Sequence, residues 1–225
     1  MADVCRGRAD LHFVATSIDY VVLRCGVIAT QVLGRVDHEL DRPRFACRER
    51  HARDPTQILA RIIRDLTGGP EQSLAFAWRE LFNPLGIRHV TLEFDGAGTL
   101  QGANYMLASA RDWAKLGVLY ANDGVVGGKK LLHPDWVDFC AAATLGTDYA
   151  AGFYTNRSDH PDAKGRVQSG MPRDSFLASG ILGQRLVIVP SQKLVVVRLG
   201  DTVEPTGDIA GVARLVKEVI AAVGH

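Results

Sequence analysis

The stretch FLASGILGQRLVIVPSQKLVVVRLG, residues 176–200, decides the fold class. Its two apolar runs, RLVIVP and LVVVRLG, flank the turn residues Pro190, Ser191, Gln192 and Lys193. Four or five apolar residues in succession, bounded by turn formers, suit strands covered on both faces. A hairpin of that kind needs one layer above it and one below. Just before it, SGILGQ carries Gly180, which breaks a preceding strand where a ligand could lie close to bare backbone.

One covering layer follows the hairpin. Asp208 is placed to cap a helix over IAGVARLVKEVIAAVG, in which Ile209, Val212, Leu215, Val216, Val219 and Ile220 share one broad apolar face. The other layer precedes it. ILARIIRDL has apolar residues at 58, 59, 62, 63 and 66, read as the packed face of a helix that Gly68-Gly69-Pro70 ends. SLAFAWRELF predicts a second helix, stopped before Pro84. NPLGIRHVTLEFDGAGT reads as a loop with a short strand and a glycine-rich turn. In SARDWAKLGVLYAND, Ser109 is an N-cap three residues before Asp112, and Trp113, Leu116, Leu119 and Tyr120 form the apolar face. Gly124 to Gly128 make a turn, and His133-Pro134 opens a helix that turns Trp136, Val137 and Cys140 inward. Residues 149–156 read as a strand and 157–174 as polar loop. The class is α/β (α+β): an antiparallel sheet flanked by helices.

The N-terminal quarter reads differently. Residues 11–34 are apolar and β-branched, and fit two short strands or a strand and a helix. Residues 35–55 are Arg-rich and unpatterned, read as a solvated linker. The division expected is an irregular segment over 1–56 and an ordered domain part over 57–225. A net charge of +1 gives no electrostatic reason to expect nucleic acid or an anionic membrane. No apolar run reaches the length of a membrane span. The scattered Cys5, Cys25, Cys47 and Cys140 have no CxxC spacing, so reduced thiols and a cytoplasmic location are expected. The histidines suggest no metal site, and no cofactor is indicated.

Several segments, in order, resemble the serine β-lactamase-related hydrolases, the group of class C-type β-lactamases, penicillin-binding proteins, family VIII-type esterases and 6-aminohexanoate-dimer hydrolase. LFNPLGIRHVTLE is similar to the "PLGM" stretch of that group. GANYMLASARDWAKLGVLYANDGVVGGKKLLHPDWV is similar to its "tarDlAklG" block, YAAGFYTN to its "GYGFW.N" strand, and SGILGQRLVIVPSQKLVVVRLG to its closing hairpin. The resemblance covers about residues 57–222 and implies the C-terminal portion of a β-lactamase-like fold whose N-terminal part is truncated.

The chemistry so implied is acyl transfer: a serine in Ser-x-x-Lys attacks a carbonyl, a tyrosine assists the proton, and a Lys-Thr-Gly strand supplies part of the oxyanion hole. The third motif falls on Ala178-Ser179-Gly180, with the amide of Ile181 as oxyanion donor, so Ser179, Gly180 and Ile181 are the candidate site residues. Alanine stands at the lysine position. The first motif is missing: none of Ser17, Ser73, Ser109, Ser158, Ser169, Ser175, Ser179 and Ser191 has lysine three residues on. The tyrosine position falls on Ala52, on His51 by a one-residue slip, or on Ala15 in another register. Asp112 reads as a first-turn helix charge, Tyr149 and Tyr154 as strand residues, and Asn156 and Gln184 as turn, edge or cleft residues. The expectation is a hydrolase fold with little or no activity, or a non-catalytic module that holds a small acyl ligand or pairs with a second copy through an open sheet edge.

Overall fold

The computed structural model describes residues 3–6, 12–16, 21–23, 53–102, 105–202 and 208–223. The tract 35–52, the continuation of the apolar segment past residue 23, and the positions His51 and Ala52 lie outside them.

The hairpin forms as its sequence predicts. Strand β9 (Phe176–Ser179) pairs antiparallel with β10 (Arg185–Val189), which pairs antiparallel with β11 (Leu194–Arg198). Proline-initiated turn residues Pro190–Gln192 join the last two, and Lys193 closes the turn in the left-handed region at φ 43°. Side chains alternate across the pleat. Phe176, Ala178, Leu186, Ile188, Val195 and Val197 enter one core; Leu177, Val187, Val189, Leu194 and Val196 enter a second on the opposite face. All five residues of β10 are buried, which is the physical content of an uninterrupted apolar run.

The sheet has six strands in the order β1-β2-β11-β10-β9-β8. Here β1 (Asp3–Arg6) and β2 (His12–Thr16) are an antiparallel pair, and β2 lies parallel to β11, with Ala15 opposite Val197. The outer strand β8 (Tyr154–Thr155) is two residues long and pairs with Phe176 and Leu177. A second sheet sets β5 (Met106–Ala108) between β3 (Val21–Leu23) and β4 (Val90–Leu92). Between residues 11 and 23 the apolar tract therefore builds two strands in two sheets.

Among the described residues six helices accompany them: α1 (Arg53–Thr67), α2 (Pro70–Ala77), α3 (Ala110–Ala121), α4 (Trp136–Ala141), α5 (Pro161–Gln168) and α6 (Ile209–Val223). Trp78–Phe82 prolongs α2 as a π-helical turn. The two-residue hairpin β6 (Val125–Val126) and β7 (Lys129–Lys130) turns through Gly127 and Gly128, both at positive φ. Helix α3 lies on the larger core, with Trp113, Leu116, Leu119 and Tyr120 fully buried, and α6 covers the other face through Val212, Ala213, Val216 and Val219. Ser109 caps α3 by accepting from the Asp112 amide at 3.2 Å, and Asp208 Oδ1 accepts from the Gly211 amide at 3.1 Å at the start of α6.

Three expectations change. Residues 149–156 are mostly turn, because Tyr149 meets Tyr154 in an isolated bridge and only β8 continues as strand. Residues 157–174 contain α5, which Pro161 starts and His160 caps by accepting from the Asp162 amide. The stripe on α1 splits: Ala60 and Ile63 are buried and Leu59 packs beside Ile63, while Ile58, Ile62 and Leu66 are 61%, 41% and 65% exposed. A 3.6-residue period with apolar side chains at 58, 59, 62, 63 and 66 spans more arc than its described neighbours, α2 and the segment 95–102, cover.

Helix α3 approaches the sheet at Gly117. A Cβ there would stand 2.8 Å from Leu186 Cδ1 and closer still to Val195 Cγ1. Both belong to the buried hairpin, so neither can move aside cheaply. Gly117→Ala is therefore expected to lower stability by about 1–3 kcal/mol through overpacking, although alanine is the better helix former by ~1 kcal/mol. Urea unfolding of the two proteins measures the sign; a more stable variant would contradict the close approach.

Candidate functional site

The end of β9 carries the expected site residues, and the structure sends their side chains to different places. Ala178 is 3% exposed and belongs to the core beneath α3. Ser179, next in the pleat, points to the opposite face, where it pairs in register with Arg185 and lines a cavity. Gly180 is extended at φ −103°, a conformation open to any residue, and its amide donates to the Gln184 carbonyl at 2.8 Å. Ile181 opens a one-turn 3-10 segment and is 66% exposed. The left-handed positions are Leu182 at φ 57° and Gly183 at φ 81°, so the conformational demand sits past Gly180.

This turn is held firmly. Gln184 is buried, and its side chain donates to the Gly200 carbonyl and accepts from the Gly200 amide at 3.0 Å. Arg198 Nη1 donates to the Gly183 carbonyl at 2.7 Å, and the Thr202 amide donates to the Leu182 carbonyl at 3.0 Å. Gln184 therefore serves as a clamp between β10 and the end of β11 and faces no cleft.

A nucleophile would need a base beside its hydroxyl. Five serine hydroxyls among the described residues are engaged otherwise, and that of Ser175 is buried with no base against it. Ser73 donates to the Pro70 carbonyl, Ser158 to the Thr147 carbonyl, Ser169 to the Gly165 carbonyl, and Ser191 to Asp174. Ser109 donates to Asp112 Oδ2 at 3.0 Å. Asp112 is buried and also takes Lys115 Nζ on Oδ1 at 2.8 Å; Lys115 in turn donates to the Gly86 carbonyl at 2.6 Å. The only aspartate–lysine–serine chain seen among the described residues is thus a brace. It ties the PLG loop to the first turn of α3.

The sequence reading missed a buried polar network around Arg166, in the last turn of α5. Arg166 is 8% exposed and donates from Nη1 to Asp148 Oδ2 at 2.8 Å, from Nε to Asn156 Oδ1 at 2.8 Å, and from Nη2 to the Thr155 carbonyl at 3.1 Å. Asn156 Nδ2 donates to the Pro172 carbonyl at 3.0 Å. Thr155 Oγ1 donates to the Ala141 carbonyl at 2.7 Å. Asn156 is therefore structural. The available signal was His160-Pro161-Asp162, a cap followed by a first-position proline and a first-turn acid.

Asp148, His160 and Asp162 bring ligand-type atoms within 4.8 Å of one another. The geometry opposes a cation, because the Arg166 guanidinium is bonded to Asp148 and the His160 ring nitrogen accepts from the Asp162 amide. Cys140 is free and buried, and burial pushes its thiol up to about 12, against a smaller lowering by the Tyr120 hydrogen bond. A thiol held protonated in this way is a packing group and no nucleophile. No helix among the described residues is long and apolar enough to cross a membrane.

Removing one partner of a buried ion pair strands the other. Arg166→Met is expected to cost about 3–5 kcal/mol, and the double variant with Asp148→Leu should recover much of that loss. Urea unfolding of the single and double variants tests this; a double variant less stable than Arg166→Met would show that the network acts through something other than charge pairing.

No protein-family model matches the sequence, and none of the curated proteins does. Solved structures do match. A protein assigned as a 6-aminohexanoate-dimer hydrolase from Bacillus anthracis aligns with 20% identity and a TM-score of 0.55 over 74% of this chain; the chain spans only 41% of that protein. A β-lactamase from Mycobacterium bovis aligns with 14% identity and a TM-score of 0.56, over 92% of this chain and 88% of its own. A penicillin-binding protein homologue from Caulobacter crescentus aligns with 13% identity and a TM-score of 0.50, over 91% and 84% of the two chains. At these identities the shared property is architecture, and the chain has the serine β-lactamase-like fold.

Proposed function

We propose that this chain retains one wall of an acyl-hydrolase cleft, the end of β9 with Ser179, Gly180 and Ile181, without the residues that would make the cleft catalytic. The observation that carries the reading is the absence of Ser-x-x-Lys anywhere in the 225 residues. The bonding of the serines supports it: five hydroxyls donate to carbonyl or carboxylate oxygens, and none of these five bonds involves a lysine amine. Alanine at 178 supports it further, since a packed methyl group in the core replaces the cation that a carboxylate-bearing substrate would meet.

A neutral ester, amide or lactam is the substrate class that such a wall would once have served. The remaining role is binding without turnover, by the turn that presents Ile181 and Leu182, which are 66% and 44% exposed. Removing the nucleophile of an acyl-transfer site typically leaves about 10³–10⁴-fold over water from the rest of the site, and half a cleft should leave less.

Steady-state hydrolysis of p-nitrophenyl butyrate and of a chromogenic cephalosporin tests the reading. The expected rates rise linearly with protein and substrate, and Ser179→Ala leaves them unchanged. Saturable turnover that one serine substitution abolishes would overturn it.

A further inference from the structure

On the face of the sheet opposite Ala178 lies a cavity of about 550 Å³, within the range of small-molecule sites. Its floor is Leu177, Ser179 and Arg185; α5 forms one wall and Ile209 and Ala210, at the start of α6, the other. Two guanidinium groups and two carboxylates line it: Arg166, at 8% exposure, is paired with Asp148, Asp162 stands exposed at the rim, and Arg185, at 6% exposure, lies on the floor away from both pairings. Each guanidinium is fixed in place. Arg166 is held by Asp148, Asn156 and the Thr155 carbonyl, and Arg185 Nη1 donates to the Gly180 and Gln184 carbonyls at 3.0 and 2.8 Å. A preformed cationic group costs little reorganisation when an anion arrives. The Ser179 hydroxyl sits directly across the ladder from Arg185, and Leu177 and Ile209 supply apolar surface beside them.

Gly165 is a second, independent sign. It lies inside α5, where glycine costs about 1 kcal/mol relative to alanine. Its φ is not in the left-handed region, and nothing stands within 4 Å of the place a Cβ would take. Neither backbone conformation nor close packing requires a glycine there. Gly165 lines the cavity, so what its missing side chain leaves is room.

We propose that this cavity binds a small organic carboxylate with a short apolar tail, the carboxylate against Arg185 and Ser179 and the tail along Leu177 and Ile209. The site shares Ser179 with the proposed cleft wall but needs no nucleophile, so it stands whether or not that wall belongs to an acyl-hydrolase cleft.

Isothermal titration with sodium pentanoate and, at matched ionic strength, pentylammonium chloride tests it. Pentanoate should saturate one site and bind at least about tenfold more tightly than the ammonium, a difference of about 1.4 kcal/mol. Gly165→Leu, which projects into the cavity from α5, and Ile209→Trp, which fills it from α6, should each abolish pentanoate binding while retaining the far-ultraviolet dichroism and cooperative unfolding of the parent. Absence of saturable binding to the parent, equal affinity for the two probes, or folded filling variants that bind pentanoate as the parent does would each overturn the proposal.

Discussion

Burial of β10 and β11 on both faces is the constraint from which the rest of the structure follows. A strand with one wet side needs one partner layer. These strands, with Leu186, Ile188, Val195 and Val197 on one side and Val187, Val189, Leu194 and Val196 on the other, need two. Each layer must be apolar and close, and α3 and α6 meet the requirement in different ways. Helix α6 has a wide face of valine, alanine and isoleucine. Helix α3 brings its backbone down onto the sheet at Gly117, so Val195 and Leu186 fill the space of a missing side chain. At roughly 25 cal/mol per Å² of apolar surface removed from water, this double burial is the largest stabilising term available to the chain.

That constraint also fixes where chemistry can occur. Strand β9 joins the buried pair and runs out at Ser179. Beyond it the chain enters the turn clamped by Gln184, Arg198 and Thr202. Alternation along β9 sends Ala178 and Ser179 to opposite faces, so one short segment borders two environments: the core beneath α3 and the cavity under α5 and α6. The charged groups buried elsewhere in the described interior are paired locally. Asp112 is shared by Ser109 and Lys115, and Arg166 by Asp148, Asn156 and a carbonyl. These arrangements give rigidity, and the carboxylate beside the Ser109 hydroxyl is itself neutralised by Lys115.

Much of the fold was legible because its signals are local. The uninterrupted apolar runs, Pro190 to Lys193, the Ser109 cap and the Asp208 cap each follow from a few neighbouring residues. The α5 segment was not read, since a helix of eight residues with Gly165 in its middle has little periodicity; its start signal at His160 and Pro161 was the available clue. The α1 stripe misled because periodicity shows that Ile58, Ile62 and Leu66 could be covered, and only the number of neighbours decides whether they are. Of the site, Ser179, Gly180 and Ile181 could be placed on a strand end by motif position, but the face each side chain takes depends on pairing register with Arg185 and Leu186. The cavity was out of reach for the same reason: Asp148, Arg166, Ser179, Arg185 and Ile209 come together only once β9, α5 and α6 are packed.

Intact-protein mass spectrometry after incubation with excess fluorophosphonate tests the central claim, a β-lactamase-like fold without its attacking hydroxyl. The account predicts the unmodified mass for the folded protein. A single stoichiometric adduct, mapped to one serine and lost on prior unfolding, would contradict it.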